Sequence, residues 1–304
     1  MIIGHKKQRD LFTKMIANNR IPHALLFSGY EKIGKRSIAI NLAKSLICEN
    51  VNGPCMNCNA CLLSEKGVHP DLIIVSSLKK EIIIDQIREL SRQLSFKPYS
   101  SSVKVAIIDD AHLMNQQAQN SLLKLLEEPG DSSVIILVSD HPEILLPTIR
   151  SRVQIVKFFP VDKNEIRSHL KSANCQEDLI EGIVSFSFGK PGVALDLLFD
   201  PGKIEVRRKK VNELINIISP ESRFHLRFDY VKKISEDPEL VGILNIWLSY
   251  FRALFLEKIK GNKKVVYSVD RLRNILLEIE ESIYLLSKTN VNNKMVLENL
   301  IMEL

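Results

Sequence analysis

The sequence predicts an α/β domain with a parallel sheet, followed by a region that is almost entirely helical. As far as Pro160, short apolar runs rich in β-branched residues alternate with helical patterns. Such runs are typical of strands that are buried on both faces of a parallel sheet. After Pro160 the strand pattern ends and helical spacing continues to residue 304. A chain of 304 residues is long enough for two or three domains, each with its own core.

The first part of the chain carries alternating strand and helix patterns, with a cysteine-dense insertion at 48–61. Strands are predicted at 24–27, 71–75, 103–112, 132–140 and 155–159. Helices are predicted within 1–20, after the Gly-rich turn 28–37, at 84–94, and from 115 to the Pro129-Gly130 pair. The order of strand, crossover helix and strand predicts βαβ units of the nucleotide-binding type.

The second part carries only helical patterns. Helices are predicted at 162–170, 178–186, 206–218, 223–234, 240–260, 268–288 and 293–304, with a turn at 188–192. We therefore expect three domains: an α/β domain at 1–160, a small helical domain at 161–205, and an all-α domain at 206–304.

Composition and charge favour a soluble globular protein. The hydrophobic fraction is 45% and the charged fraction 26%, which are ordinary values for this class. The net charge of +6 permits contact with nucleic acid but does not demonstrate it. The N-terminus turns polar after two apolar residues, and polar side chains interrupt the most apolar stretch, 240–259. We expect no signal peptide, no membrane span and a cytoplasmic protein.

A phosphate-binding loop is indicated at 29–36, but its last position is altered. Gly29, Gly34 and Lys35 fit the pattern G-x-x-x-x-G-K. The next residue is Arg36, where a working loop has a Ser or Thr hydroxyl that binds Mg²⁺. Ser37 follows, but one helix position along it points about 100° away. We expect some residual phosphate or nucleotide binding rather than metal-dependent ATP hydrolysis; a Gly-rich turn without a ligand is the alternative.

Two acids end the central strand. Asp109 occupies the position that usually coordinates the metal ion in such sites, and Asp110 follows it. A hydrolysing enzyme normally has Glu at the second position, where it polarises the attacking water. Asp110 is one methylene shorter, which damages the geometry of a general base. A solvated strand end is the other interpretation of this pair.

Four cysteines lie within fourteen residues. Their spacing is C-x6-C-x2-C-x2-C, formed by Cys48, Cys55, Cys58 and Cys61. Four thiolates suit a closed, structural Zn²⁺ site. Disulfides are a weaker interpretation in a reducing compartment, and an iron–sulfur cluster is a further one. Cys175 stands apart and is predicted to be a small core residue.

Together these motifs resemble one known family, the delta-prime subunits of the bacterial DNA polymerase III clamp loader, which are AAA+ proteins. The resemblance spans nearly the whole chain. Its motifs are GHKKQ (4–8), PHALLFSG (22–29), GKRS (34–37), the cysteine cluster, HPDL (69–72), IDQIREL (84–90), IIDDAHLMN (107–115), AQNSLLKLLEEP (118–129), LLPTIRSR (145–152), GKPGVAL (189–195) and NKMVLENLIMEL (293–304).

The resemblance implies a RecA-like AAA+ domain with a zinc insertion, a small helical lid and a helical collar in a hetero-pentameric ring. The partners would be the gamma/tau and delta subunits and, through the assembled complex, the sliding clamp and primer-template DNA. Arg152 would reach a neighbour's ATP site as an arginine finger, with Arg150 as the alternative. The lid position that carries a nucleotide-sensing Arg in hydrolysing subunits is Gly192 here, and Lys190 has the wrong spacing.

The leading hypothesis is therefore a non-hydrolysing clamp-loader subunit, not an enzyme by itself. The competing hypothesis is an active, gamma/tau-like ATPase that uses Lys35 and Asp109, with Ser37 as the metal ligand. A third interpretation makes the cysteine segment a nucleic-acid binder in its own right. It is the weakest, since 48–61 contains no Lys, Arg or aromatic residue.

Overall fold

The computed structural model describes residues 2–50, 53–77, 81–130, 132–219, 224–262, 265–288 and 291–304. Part of the predicted cysteine insertion (51–52) and the predicted helix start at Arg223 lie outside these residues. The chain forms two compact units. The first comprises Met1–Ala173 and Gly189–Val193, and the second Asn174–Phe188 and Ala194–Leu304. The predicted three-domain division stays a prediction.

A five-stranded parallel sheet forms the centre of the first unit. Its strands are β1 (Ala24–Ser28), β2 (Leu72–Val75), β3 (Lys104–Ile108), β4 (Ser133–Ser139) and β5 (Gln154–Lys157). Their order is β2-β3-β4-β1-β5, and every pairing is parallel. All residues of β3 and β4 are buried, as expected of strands covered on both faces. The predicted α/β fold class, with a parallel sheet, is confirmed.

Helices cover both faces of the sheet. The helices of the first unit are α1 (Lys6–Ala17), α2 (Lys35–Ile47), α3 (Asn59–Glu65), α4 (Ile84–Leu94), α5 (Gln116–Glu127), α6 (Pro147–Arg150) and α7 (Lys163–Ser172). One apolar cluster joins the sheet to α4 and α5, and another joins it to α1 and α2. In α5 the predicted apolar spacing places Ala118, Leu122 and Leu126 in the core. The Asn115 side chain caps this helix by accepting from the Ala118 N–H at 2.9 Å.

Some element bounds differ from the prediction for local reasons. The first helix begins at Lys6, because Gly4 and His5 have φ values of 74° and 56°, outside the helical region. Helix α3 lies in the cysteine segment, where no helix was predicted. Helix α6 gives one helical turn to a segment predicted as a simple turn, with Pro147 at its first position.

The second unit contains helices and, within its described residues, no strand. The helices are α8 (Glu177–Ser187), the larger part of α9 (Pro191–Phe199), α10 (Gly202–Ile218), α11 (Phe224–Ser235), α12 (Leu240–Ile259), α13 (Val269–Lys288) and α14 (Asn293–Glu303). By length and composition α12 could cross a membrane. Yet Ile243, Trp247 and Phe251, spaced by four, lie buried in the core of this unit. The same helix bears Arg252, which donates to Glu280 of α13 at 2.8 Å. We therefore interpret α12 as the buried core helix that was predicted.

Candidate functional site

The predicted phosphate loop connects the carboxyl end of β1 to the first turn of α2. Gly34 precedes α2 and has a φ of 104°, a conformation that favours glycine. Gly29 lies against the chain that follows β5, where a Cβ atom would come within 2.6 Å of the Phe158 carbonyl oxygen. Both glycines are therefore required by the backbone itself, whether or not a ligand binds.

The ammonium group of Lys35 is buried and has three acceptors within the chain. Its Nζ donates to the carbonyl oxygens of Gly29 (2.7 Å) and Tyr30 (2.8 Å) and to Asp140 Oδ1 (2.5 Å). The Lys35 side chain is only 4% exposed. Since an ammonium group has three N–H donors, these contacts can occupy all of them. A phosphate group would have to displace at least one acceptor to reach Lys35.

The guanidinium group of Arg36 forms an ion pair with Asp109, the carboxylate predicted to coordinate a metal ion. Arg36 Nε lies 3.1 Å from Asp109 Oδ2. Burial raises the pKa of Asp109, while the nearby guanidinium charge lowers it. A guanidinium is permanently charged and cannot ligate a metal ion. The ion pair therefore competes directly with cation binding at Asp109.

Asp110 lies in a crowded group of acids. Burial, followed by the charges of Asp109 and Asp140, raises the pKa of Asp110 to about 6. Its φ of 49° is in the left-handed region. The ligand-type atoms of Asp110, His112 and Asp140 lie within 4.8 Å of one another. Asp140 already forms an ion pair with the Lys35 ammonium group. We therefore assign no metal ion to Asp110, His112 and Asp140.

Two further carbonyls of the loop are held by other parts of the first unit. The Gly192 N–H donates to the Lys32 carbonyl oxygen at 2.8 Å. A Cβ atom at position 192 would also lie 2.8 Å from that oxygen, so no larger residue fits there without a shift of the loop. On the other side, His5 Nε2 lies 2.8 Å from the Ile33 carbonyl oxygen and must donate to it. Burial lowers the pKa of His5, which favours its neutral form.

The strand order explains why these side chains meet. Carboxyl ends of parallel strands lie at one edge of the sheet, and β4 lies between β3 and β1. Asp140 follows β4, so it comes between the loop after β1 and Asp109 after β3. The sequence motifs predict Lys35, Arg36 and Asp109 at one site but give no indication of Asp140, because its position depends on the strand order.

The four predicted metal-binding cysteines come together in space. Their Sγ atoms all lie within 4.8 Å of one another, and those of Cys48 and Cys58 are 3.9 Å apart. Four sulfurs around Zn²⁺ at about 2.3 Å would be about 3.8 Å apart. Main-chain N–H groups donate to sulfur at 3.4 Å, one of them from Cys61 to Cys58. The cluster could therefore hold a metal ion of zinc size.

Main-chain groups and a glycine pack closely against the cysteine side chains of the cluster. Main-chain N–H groups of Asn57 and Cys58 lower the pKa of Cys55 to about 6, whereas burial raises the pKa of Cys61 to about 12. A Cβ atom at Gly53 would lie 2.5 Å from Cys48 Sγ, so this position needs glycine. Cys48 ends helix α2, which therefore connects the cysteine cluster to the phosphate loop.

Cys175 is not part of the cluster. Its side chain is half-buried, and its Sγ donates to the Gln176 carbonyl oxygen at 3.6 Å. The prediction of a small core residue is therefore only partly met, because Cys175 lies at the edge of the second unit's packing.

The two arginines of the turn between α6 and β5 differ in their contacts. Both are exposed. Arg152 forms an ion pair with Glu127 of α5 at 2.9 Å and donates to the Thr148 carbonyl oxygen at 3.1 Å. Arg150 forms no ion pair with any residue that the structure describes. Both arginines lie in a motif that the sequence shows, but nothing in the sequence indicates that Glu127, 25 positions earlier, contacts one of them.

Comparison with known proteins identifies the family. Residues 4–162, more than half of the chain, match the family described as DNA polymerase III, delta subunit. The chain is 29% identical over 277 residues to DNA polymerase III subunit delta' of Bacillus subtilis, covering 88% of this chain and 84% of the relative. It is 30% identical over 251 residues to DNA polymerase III subunit gamma of Buchnera aphidicola, covering 79% and 69%.

A solved structure of a DNA polymerase III gamma subunit-related protein from Thermotoga maritima aligns over 97% of each chain, with a TM-score of 0.48 and 22% identity. The predicted resemblance to delta-prime subunits is confirmed by the family match and by the Bacillus subtilis relative. The chain belongs to the DNA polymerase III delta-subunit family and is a subunit of the clamp loader.

Proposed function

We propose that this chain is a delta-prime-type subunit that does not hydrolyse ATP. The observation that carries the proposal is the ion pair between Arg36 and Asp109 at 3.1 Å. Metal-dependent hydrolysis needs a Ser or Thr hydroxyl and a free carboxylate on Mg²⁺. Here a permanent cation replaces the hydroxyl and neutralises the carboxylate. The contacts of Lys35 with Asp140 and of Gly192 with the loop support the same conclusion.

The proposed role of the chain in chemistry is to supply Arg152 to a neighbouring ATPase subunit. A planar guanidinium that is always charged suits the charge that develops on a transferred phosphoryl group. Arg152 is exposed and anchored on one side, as a donated group must be. The neighbours would be gamma/tau and delta subunits in a pentameric ring in the cytoplasm, which loads the sliding clamp onto primer-template DNA.

The proposed metal is structural Zn²⁺ held by Cys48, Cys55, Cys58 and Cys61. Four thiolates leave no open coordination position, so the ion would stabilise the segment and take no part in catalysis. Metal analysis of the purified chain should find about one zinc ion per chain. A chain that stays metal-free when prepared with zinc would contradict this assignment.

The test of the main proposal uses the isolated chain and the assembled complex. The isolated chain should show no Mg²⁺-dependent ATPase. In the assembled complex, Arg152→Ala should lower ATP-driven clamp loading at least tenfold, since an arginine finger contributes on the order of 10³-fold at the site it serves. Arg150→Ala is the matched control and should leave loading unchanged. Robust ATPase of the isolated chain would overturn the proposal.

A second candidate function is an active, gamma-like ATPase. The 30% identity to the Buchnera aphidicola gamma subunit favours it. Titration calorimetry of the isolated chain with ATP and Mg²⁺ distinguishes the two. Strong Mg²⁺-dependent binding followed by turnover would favour the ATPase, whereas weak or metal-independent binding would favour the delta-prime-type subunit.

A further inference from the structure

We infer that Glu127 is a positioning residue that holds the Arg152 guanidinium in the orientation needed for its action on a neighbouring subunit. This inference rests on the proposed function of Arg152. The pair joins the last residue of α5 to the turn between α6 and β5, with Glu127 Oε1 2.9 Å from an Arg152 terminal nitrogen.

Three contacts hold the guanidinium through its two terminal nitrogens. Besides Glu127, the other terminal nitrogen donates to the Thr148 carbonyl oxygen at 3.1 Å and to Ser151 Oγ at 3.4 Å. A guanidinium has five N–H donors, so these contacts leave others for an incoming anion. The side chain is 38% exposed, which gives such an anion access.

The placement of Glu127 is not explained by helix stability. A carboxylate at the C-terminal end of a helix is disfavoured by the helix dipole. The carboxylate is also 50% exposed, and ion pairs between exposed groups add little to folding stability. Orientation of Arg152 is the remaining effect of the contact. An arginine without this anchor would sample several rotamers, and misplacement of a catalytic group slows a reaction.

Glu128 provides a matched comparison. It is the next residue, is exposed and forms no ion pair with the described residues. Replacement by glutamine removes one negative charge at either position with nearly the same shape. Only the Glu127 change takes the negative charge out of the ion pair with Arg152, so the pair of variants separates the ion pair from a general change in charge.

The experiment compares Glu127→Gln and Glu128→Gln in the assembled complex. We expect Glu127→Gln to lower kcat for ATP-driven clamp loading about three- to tenfold with an unchanged KM for ATP, because orientation acts in the transition state. Glu128→Gln should equal the wild type. In an Arg152→Ala background, Glu127→Gln should have no further effect. Thermal unfolding of the isolated variants checks that they fold.

Three results would overturn the inference while the proposed function stands: unchanged or faster loading by Glu127→Gln, an equal loss in Glu128→Gln, or an additional loss in the Arg152→Ala background. The Arg152→Ala variant tests the proposed finger role separately from the positioning role of Glu127. If Arg152→Ala itself leaves loading unchanged, the proposed finger role fails, and the positioning role fails with it.

Discussion

The phosphate loop and the Arg152 turn both lie in the first unit and both present cations, but they treat those cations in opposite ways. In the loop, Lys35 is 4% exposed, and acceptors of the same site can occupy all three of its N–H donors. In the turn, Arg152 is anchored on one side by Glu127 and stays accessible. The Lys35 charge is satisfied within its own site, whereas the Arg152 guanidinium remains open to solvent. The loop therefore has the properties of a structural element, and the turn has the accessibility that the proposed finger role requires.

The largest expected effect that tests this comparison is on folding. Lys35→Ala should lower the free energy of unfolding by about 3 kcal/mol without any nucleotide, because it leaves the Asp140 carboxylate without its buried partner. Chemical denaturation of the isolated chain measures the change. Lys7→Ala, an exposed lysine of α1, is the control and should change it by less than about 0.5 kcal/mol. A similar small effect at Lys35 would mean that the loop is not a structural element.

A smaller change in folding stability, which depends on pH, is expected when Asp110 is replaced. Its pKa is raised to about 6, above the value of about 4 in an unfolded chain. The folded state therefore binds the proton more tightly, and this group's contribution to stability is lost as the pH rises from about 4 to about 6. Asp110→Asn should stabilise the chain by about 1 kcal/mol at pH 7.5 and not below pH 4.

Thermal unfolding of Asp110→Asn at several pH values tests this. Asparagine tolerates the left-handed backbone at this position, so the change isolates the charge. Asp10→Asn, an exposed acid of α1, should give no such pH-dependent gain. A gain of equal size at every pH would rule out the titration of Asp110 as its cause.

The smallest expected change in stability is that of a variant in the Arg152 turn. Arg152→Ala should change the free energy of unfolding by less than about 0.5 kcal/mol, because its contacts are exposed to solvent. The same variant should impair clamp loading, as described above. A large loss of stability would show that Arg152 serves the fold, and its accessibility would then carry no functional meaning.

Much of the fold was predictable from local patterns. The helix at Ile84–Leu94 was predicted with the observed bounds, and β1 and β4 within one residue at either end. These elements have strong periodicity or buried β-branched runs. Helix α3 was missed because its seven residues are too short to show a period. The start of α1 was misplaced because left-handed residues cannot be recognised from composition alone.

Only those residues of the candidate site that lie together in short sequence motifs could be predicted. The loop glycines, Lys35, Arg36, Asp109 and the cysteines lie in motifs whose spacing carries meaning. The partners Asp140 and Glu127 were missed, since their contacts depend on strand order and on how helix ends meet neighbouring turns. The replacement of the metal-binding hydroxyl by Arg36 was visible in the sequence, but its ion pair with Asp109 was visible only in the structure.

The close contact of Gly192 with the loop also limits how this chain can evolve. An arginine at position 192 would place a side chain against the Lys32 main chain, where a single added carbon already lies at 2.8 Å. Any residue larger than glycine at this position therefore requires the loop to move first. Position 192 and the loop can change only together.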